Sequence, residues 1–242
     1  MPRSGRHFVQ YSSALFDIPA TPLVSVEGSG SGFPVHRIFC VGRNYVAHAQ
    51  EMGNEVDREA PFYFTKPASA IVLSGATIAY PPGTKDCHHE VELVVAMGKP
   101  AFRVPVEEAL GCVYGYAVGI DLTRRDLQQA AKDKQRPWDL GKAFENSAMI
   151  GALTPAERFG APADQAIRLS INGTTRQEAT LRELVWSVPE IISHLSRYYH
   201  LLPGDLIYTG TPAGVGPIAE GDLIECSIEG LSPFSVTIGP AE

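Results

Sequence analysis

The run Cys87-His88-His89-Glu90-Val91-Glu92-Leu93-Val94-Val95 sets two acids inside what otherwise reads as an apolar strand. Side chains two apart in a strand share a face, so Glu90 and Glu92 aim into one small volume. The β-branched and apolar continuation through Ala96 and Met97 favours a strand over a helix, which would set the pair about 200° apart. A third acid, Asp121, follows the apolar, glycine-bearing run from Tyr114 to Ile120, the pattern of a strand ending at a carboxylate. Two readings stand at this point. The three acids gather hard oxygen ligands for Mg²⁺ or Mn²⁺, with positions left for water and substrate; or Glu90 and Glu92 line the solvent face of an edge strand, as alternation alone allows. Zinc held by Cys87, His88 and His89 fits less well. Neighbours on a strand face opposite ways, and no second Cys/His cluster follows.

The rest of the chain divides into a leader and a body. Pro19, Pro22, Pro34 and the Gly28-Ser29-Gly30-Ser31-Gly32 cluster predict an extended or partly mobile segment over residues 1–34. Residues 35–242 then make one domain, a size that buries an adequate core. A net charge of −7 provides no basic footprint for nucleic acid. No stretch approaches the roughly 20 apolar residues that cross a bilayer, and the N-terminus runs into no signal core. The four cysteines form no Cys-x-x-Cys pair, which fits a reducing cytoplasm. The expectation is a cytoplasmic protein with neither nucleic acid nor membrane as partner.

Strand-like runs recur at Arg37–Gly42, Phe62–Phe64, Ile71–Leu73, Glu90–Ala96 and Val113–Ile120. Near the C-terminus, Gly204-Asp205 and Gly221-Asp222 turns each feed a short apolar strand. Helical patterns fit residues 44–53, with Asn44 near the start and Gly53 at the stop, and Val106–Leu110, Leu122–Lys132 and Val188–Tyr198. Ser187 can cap the last of these, with Pro189 and Glu190 in its first turn. Scattered strands with few helices indicate an α+β, mixed, strand-dominated fold. On the 44–53 helix, His48 and Glu51 lie side by side, three residues apart.

The chain has no Gly-x-Ser-x-Gly elbow and no phosphate-binding Gly-x-x-x-x-Gly-Lys-Ser/Thr loop. Gly210-Thr211-Pro212-Ala213-Gly214-Val215-Gly216 matches neither that loop nor a dinucleotide fingerprint. It reads as a tight turn that brings backbone close to a ligand.

Six motifs in order carry a resemblance over about residues 35–240: Cys40-Val41-Gly42-Arg43-Asn44-Tyr45 with His48 and Glu51; Phe64-Thr65-Lys66-Pro67; His88-His89-Glu90-Val91-Glu92-Leu93; Asp121-Leu122-Thr123-Arg124-Arg125-Asp126; Pro137-Trp138 with Lys142; and Tyr208-Thr209-Gly210-Thr211-Pro212. Together they resemble the fumarylacetoacetate hydrolase family, in particular its short bacterial fumarylpyruvate hydrolases and acylpyruvases. The resemblance implies a β-sandwich or roll core for the body, a homodimer, and Mg²⁺ or Mn²⁺ held by Glu90, Glu92 and Asp121. It implies His48 and Glu51 as an acid/base dyad on a helix covering the site, and Lys142 as the active-site lysine. Lys66, Arg125, Gln128 and Thr211 match positions used around a substrate's keto-acid end.

Those residue types suit metal-dependent hydrolysis of the C–C bond of a 2,4-diketo acid. Fumarylpyruvate, giving fumarate and pyruvate, is the first expectation. General acylpyruvate hydrolysis or oxaloacetate decarboxylation is the alternative, and a catalytically idle metal or small-acid binding protein is a third. Each residue has a plainer reading: His48 and Glu51 as a surface ion pair, Lys142 as an exposed lysine, Arg125 paired with its neighbouring acids, Thr211-Pro212 as a turn. Arg58, Lys85, Lys134 and Arg136 are the candidates for a distal substrate carboxylate.

Overall fold

The run bearing Glu92 folds as the strand Val91–Met97, buried along its whole length. In the computed structural model, which describes residues 15–53 and 58–241, this strand is central to the largest sheet. The order across that sheet is Phe62–Lys66, Arg37–Gly42, Asp205–Tyr208, Val91–Met97, Val113–Asp121, Ala148–Ile150 and Ile71–Leu73. Being covered on both faces, the strand is apolar at nearly every position rather than alternating, and this is why an acid within it is conspicuous.

The face bearing Val91, Leu93, Val95 and Met97 packs on the second sheet. That sheet runs Thr174–Thr180, Ala166–Ile171, Leu223–Ile228, Phe234–Ala241 and Ala76–Tyr80. Its strands bury alternate residues, such as Ile224, Cys226 and Ile228, so the two sheets sandwich one core. The opposite face, continuing from Glu92 through Val94 and Ala96, is covered by Val24, Val26, Phe33 and Val35. Over these residues the leader is extended and packed: Leu23–Val24 pairs antiparallel with Phe33–Pro34, and the Gly/Ser cluster lies between the two strands. Residues 1–14 lie outside the described ones.

A third, small sheet, Thr123–Arg124, Cys87–His89 and Gly216–Pro217, sits where the acids gather. Its pairing of Thr123 with His88 and Arg124 with Cys87 delays the expected helix, which forms as Arg125–Asp133 rather than from Leu122. The 44–53 helix is shorter too, Val46–Glu51, and its N-cap is Tyr45 with no side-chain cap. The Val188–Leu195 helix opens with the expected capping box of Ser187 and Glu190. Among the described residues, no helix is long and apolar enough to cross a membrane.

Candidate active site

Glu90 falls at the junction between Cys87–His89 and Val91–Met97, and Glu92 is the second residue of the latter strand. Asp121 ends the neighbouring strand, its N–H donating to the Glu90 carbonyl at 2.9 Å. One carboxylate oxygen from each of the three lies within 4.8 Å of the others, and all three residues are buried. The solvent-face reading of Glu90 and Glu92 is therefore excluded.

Buried like charges need compensation. Lys142 Nζ donates to Glu90 Oε2 at 2.7 Å, Asp121 Oδ2 at 2.6 Å and Thr123 Oγ1 at 2.6 Å. Arg125 donates to Glu90 Oε1 and, through Nη1, to Gln128 Oε1 at 2.7 Å. Burial opposes the Glu90 charge, but Lys142 and Arg125 hold that carboxyl well below the usual carboxylate range. Burial likewise opposes the charge on Lys142, which Asp121 and Glu90 sustain above its ordinary value. Glu92 has no such cation in contact. Burial, then the charges of Asp121 and Glu90, push its carboxyl well above the ordinary value, and among the described residues its one hydrogen bond is from the Gly210 N–H at 2.7 Å. Asp121 Oδ1 is paired with the Lys66 ammonium at 2.8 Å. Three converging buried carboxylate oxygens, with Glu92 under-compensated, fit a hard divalent cation among these acids.

The helix Val46–Glu51 lies over this cluster. His48, buried, faces Glu51 through Nδ1, 3.3 Å from Oε2, and the Glu51 carboxylate accepts the Gly214 N–H at 3.1 and 3.2 Å. Asn44 fastens the chain just before the helix. Its side chain donates to the Thr209 and Trp186 carbonyls at 2.7 and 3.0 Å and accepts the Trp186 N–H at 2.7 Å. That use of the amide explains why Asn44 is not the cap. Gly210, at φ +100, fits beneath it; a Cβ there would sit 2.6 Å from Asn44 Cβ.

Glu90, Glu92, Asp121, His48, Arg125, Gln128, Lys142 and Thr211 line one cavity of about 30 Å³, room for about two waters. Lys66 does not line it. Its side chain is fully buried, with Nζ donating to the Leu122 and Lys142 carbonyls behind Asp121. Its ammonium is thus held between the Asp121 carboxylate and the backbone of Leu122 and Lys142. None of Arg58, Lys85, Lys134 and Arg136 lines this cavity. Arg58 pairs with Glu190 at 2.8 Å, and Arg136 lines a neighbouring cavity of about 370 Å³ beside Phe62, Phe64 and Trp138.

Sequence reasoning missed Gln177. This buried residue of the second sheet accepts the Val91 N–H at 3.0 Å, meets His89 Nδ1 at 3.0 Å, and donates to Thr211 Oγ1 and the Pro212 carbonyl, each at 2.8 Å. It lies in the polar run Thr174-Thr175-Arg176-Gln177-Glu178, where a lone buried amide leaves no signal. Arg43, Lys132 and Trp138 also line the cavity; Arg43 and Trp138 belong to two of the six motifs, and the sequence assigns a role to none of the three.

Known proteins share this arrangement of sequence and fold. The chain is 52% identical over 194 residues to a fumarylpyruvate hydrolase from Ralstonia sp., covering 79% of this chain and all of that protein. It is 44% identical over 205 residues to the human mitochondrial oxaloacetate tautomerase FAHD1, covering 85% of this chain and 92% of that one. The crystal structure of fumarylpyruvate hydrolase from Pseudomonas aeruginosa in complex with Mn²⁺ and pyruvate superposes with a TM-score of 0.91 at 47% identity, covering 94% of this chain and all of the other. The family model described as fumarylacetoacetate (FAA) hydrolase C-terminal matches residues 37–239, and the chain belongs to the fumarylacetoacetate hydrolase family.

Proposed function

We propose that this chain is a metal-dependent hydrolase that cleaves the C3–C4 bond of a 2,4-diketo acid, with fumarylpyruvate and water giving fumarate and pyruvate. The observation that carries the reading is the convergence of three buried carboxylates, the Lys142 ammonium and the His48 ring on one small cavity. The fumarylpyruvate hydrolases of Ralstonia and Pseudomonas support the choice of substrate. Glu90, Glu92 and Asp121 would hold Mg²⁺ or Mn²⁺, which when bound polarises the 2-oxo-acid end and favours enolate formation.

The chain's own residues do the rest. His48, with Nδ1 turned to Glu51, takes a proton from water at Nε2 while the water oxygen adds to C4. Glu51 orients the ring and stabilises its charge. The positive charge of the Lys142 ammonium offsets that of the oxyanion formed at C4, and Arg125 and Gln128 bind at the keto-acid end beside Thr211. When C3–C4 breaks, C3 takes up a proton from His48 and pyruvate leaves with the C4 acid. Lys66 acts through Asp121 and Lys142.

In this reading the enzyme works in the cytoplasm as a homodimer, at a late step of aromatic breakdown through gentisate, with no nucleic-acid or membrane partner; family membership is the support. A second reading, enolate chemistry on oxaloacetate, is favoured by the identity to the human tautomerase. Purified protein assayed with Mg²⁺ or Mn²⁺ on fumarylpyruvate, acetylpyruvate and oxaloacetate side by side tests both. Fumarylpyruvate cleavage is expected to dominate; turnover of oxaloacetate alone would replace the hydrolase reading.

A further inference from the structure

The Arg125–Asp133 helix presents Arg125, Gln128 and Lys132 to the cavity. At spacings of three and seven residues, they share one helical face. Arg125 is the inner end, committed to Glu90 and Gln128. Lys132 is the outer end, about two turns or ~10 Å further along the axis. Its Nζ stands 5.2 Å from the centroid of the Trp138 ring, and no carboxylate pairs with it among the described residues. On the facing segment Arg43 lines the same cavity, exposed and likewise without an ion-pair partner there. Arg43 has φ +58, a left-handed conformation that an arginine adopts only where its surroundings enforce it.

Two unpaired cations therefore stand at the rim, next to a third that is already engaged. Neither cation has a carboxylate in contact among the described residues, the acids of the cavity being held at its inner end by Lys142, Arg125 and Lys66, so the outer end is an anion site in electrostatic terms. The mutual repulsion is real. Burial first, then the charges of Arg125 and Arg43, push Lys132 down to about 8. A bound carboxylate would relieve it.

We infer that Arg43 and Lys132 bind the terminal carboxylate of the substrate's acyl arm and so select dicarboxylic acylpyruvates over monocarboxylic ones. The distance fits. An extended seven-carbon diacid spans ~8 Å between its end carbons, on bonds of about 1.5 Å, comparable with the two-turn offset between Arg125 and Lys132. The Trp138 ring gives the unsaturated arm a flat wall on the way. Arg136, in the neighbouring cavity, has no part in this contact.

The inference rests on the hydrolase reading only for the name of the substrate, so the test has a binding arm as well as a kinetic one. In the binding arm, Mn²⁺-loaded protein is titrated calorimetrically with 2-oxoheptanedioate and 2-oxoheptanoate. Neither has a 4-oxo group to cleave, and they differ only at the distal end. The native protein is expected to bind the diacid about 10- to 150-fold more tightly, the range of a charge-assisted contact. Arg43→Gln with Lys132→Met together should erase most of that ratio, and Arg136→Ala should leave it intact. In the kinetic arm, the same double variant should lose its fumarylpyruvate-over-acetylpyruvate preference in kcat/KM by a similar factor. Equal affinity of the native protein for the two probes, an unchanged ratio in the double variant, or loss of the ratio in Arg136→Ala would overturn the inference. If the native protein cleaves neither acylpyruvate but the probes behave as expected, the hydrolase reading fails and the anion site stands.

Discussion

Gln177 Nε2 donates to Thr211 Oγ1 across 2.8 Å, and through this contact a strand with no acid in the cavity fixes one of its walls. The same amide holds the Val91 N–H and the Pro212 carbonyl, so its hydrogen-bonding capacity is nearly filled. Gln177→Leu keeps the volume and strands several buried groups, each costing ~1–3 kcal/mol. Urea unfolding should show a clear loss of stability, and kcat/KM should fall because Thr211 and the segment around Glu90 lose their common reference. A variant as stable and as active as the native protein would show that this bridge has no mechanical role.

Metal dependence follows from the triad. Glu92→Ala should weaken Mn²⁺ binding, measured calorimetrically, by more than the ~10- to 100-fold typical of residues that only support a ligand. Turnover should be nearly abolished while the circular dichroism spectrum is retained. Full activity of this variant in excess chelator would falsify the assignment.

Lys142 compensates two buried carboxylates. Breaking such a pair from one side costs ~3–5 kcal/mol. Lys142→Met should therefore melt well below the native protein in chelator, and the gap should narrow when Mn²⁺ supplies positive charge. Its kcat should stay low even with metal, by ~10²–10³-fold, as for loss of an oxyanion donor. An equal melting gap with and without Mn²⁺ would disconnect the lysine from the metal.

The small cavity volume has a kinetic implication. With about 30 Å³ of free space beside His48 and Ala49 of the Val46–Glu51 helix, admission of a seven-carbon substrate is expected to move that helix outward. Hydrogen exchange there should be faster than in Val91–Met97 and should slow when oxalate and Mn²⁺ are added together. Slow exchange that oxalate leaves unchanged would count against a moving cover.

Lys132 carries a pH signature. Its pKa lies near 8 because of burial and the charges of Arg125 and Arg43, with Lys142 acting the same way and Glu90 opposing. A lysine is cationic below its pKa and neutral above it, so attraction for a distal carboxylate is full below pH 8 and fades above. KM for fumarylpyruvate should rise through pH 8–9 relative to that for acetylpyruvate, and Lys132→Met should flatten the difference.

The central sheet was legible because its strands are covered on both faces and form unbroken apolar runs, as in Val91–Met97 and Val113–Asp121. The second sheet was largely missed. Thr174–Thr180 is polar and mostly exposed, and its pairing with Ala166–Ile171 is not written in its own periodicity. The three acids stood out because each interrupts or ends an apolar run. Lys132 and Arg43 did not, since a cation in a polar stretch looks like any solvated surface residue until the fold shows what it faces. Lys66 shows the opposite limit: a motif match located the residue but not the side of Asp121 on which its ammonium lies.

Gly214, at φ +92, lies so close to the second sheet that a Cβ would collide with the Arg176 carbonyl, and its N–H meets Glu51. The groups for metal and bond cleavage are rooted in the central sheet and the elements beside it, whereas the enclosure over them takes its bearings from the Arg176–Gln177 backbone through Gly214 and Thr211. The cover and the reacting groups are thus tied to one another through residues 174–180 and 211–216. A lineage that redraws those stretches changes the seat of Glu51 and Thr211 together with the enclosure, whereas the rim positions Arg43 and Lys132 can vary without disturbing that tie.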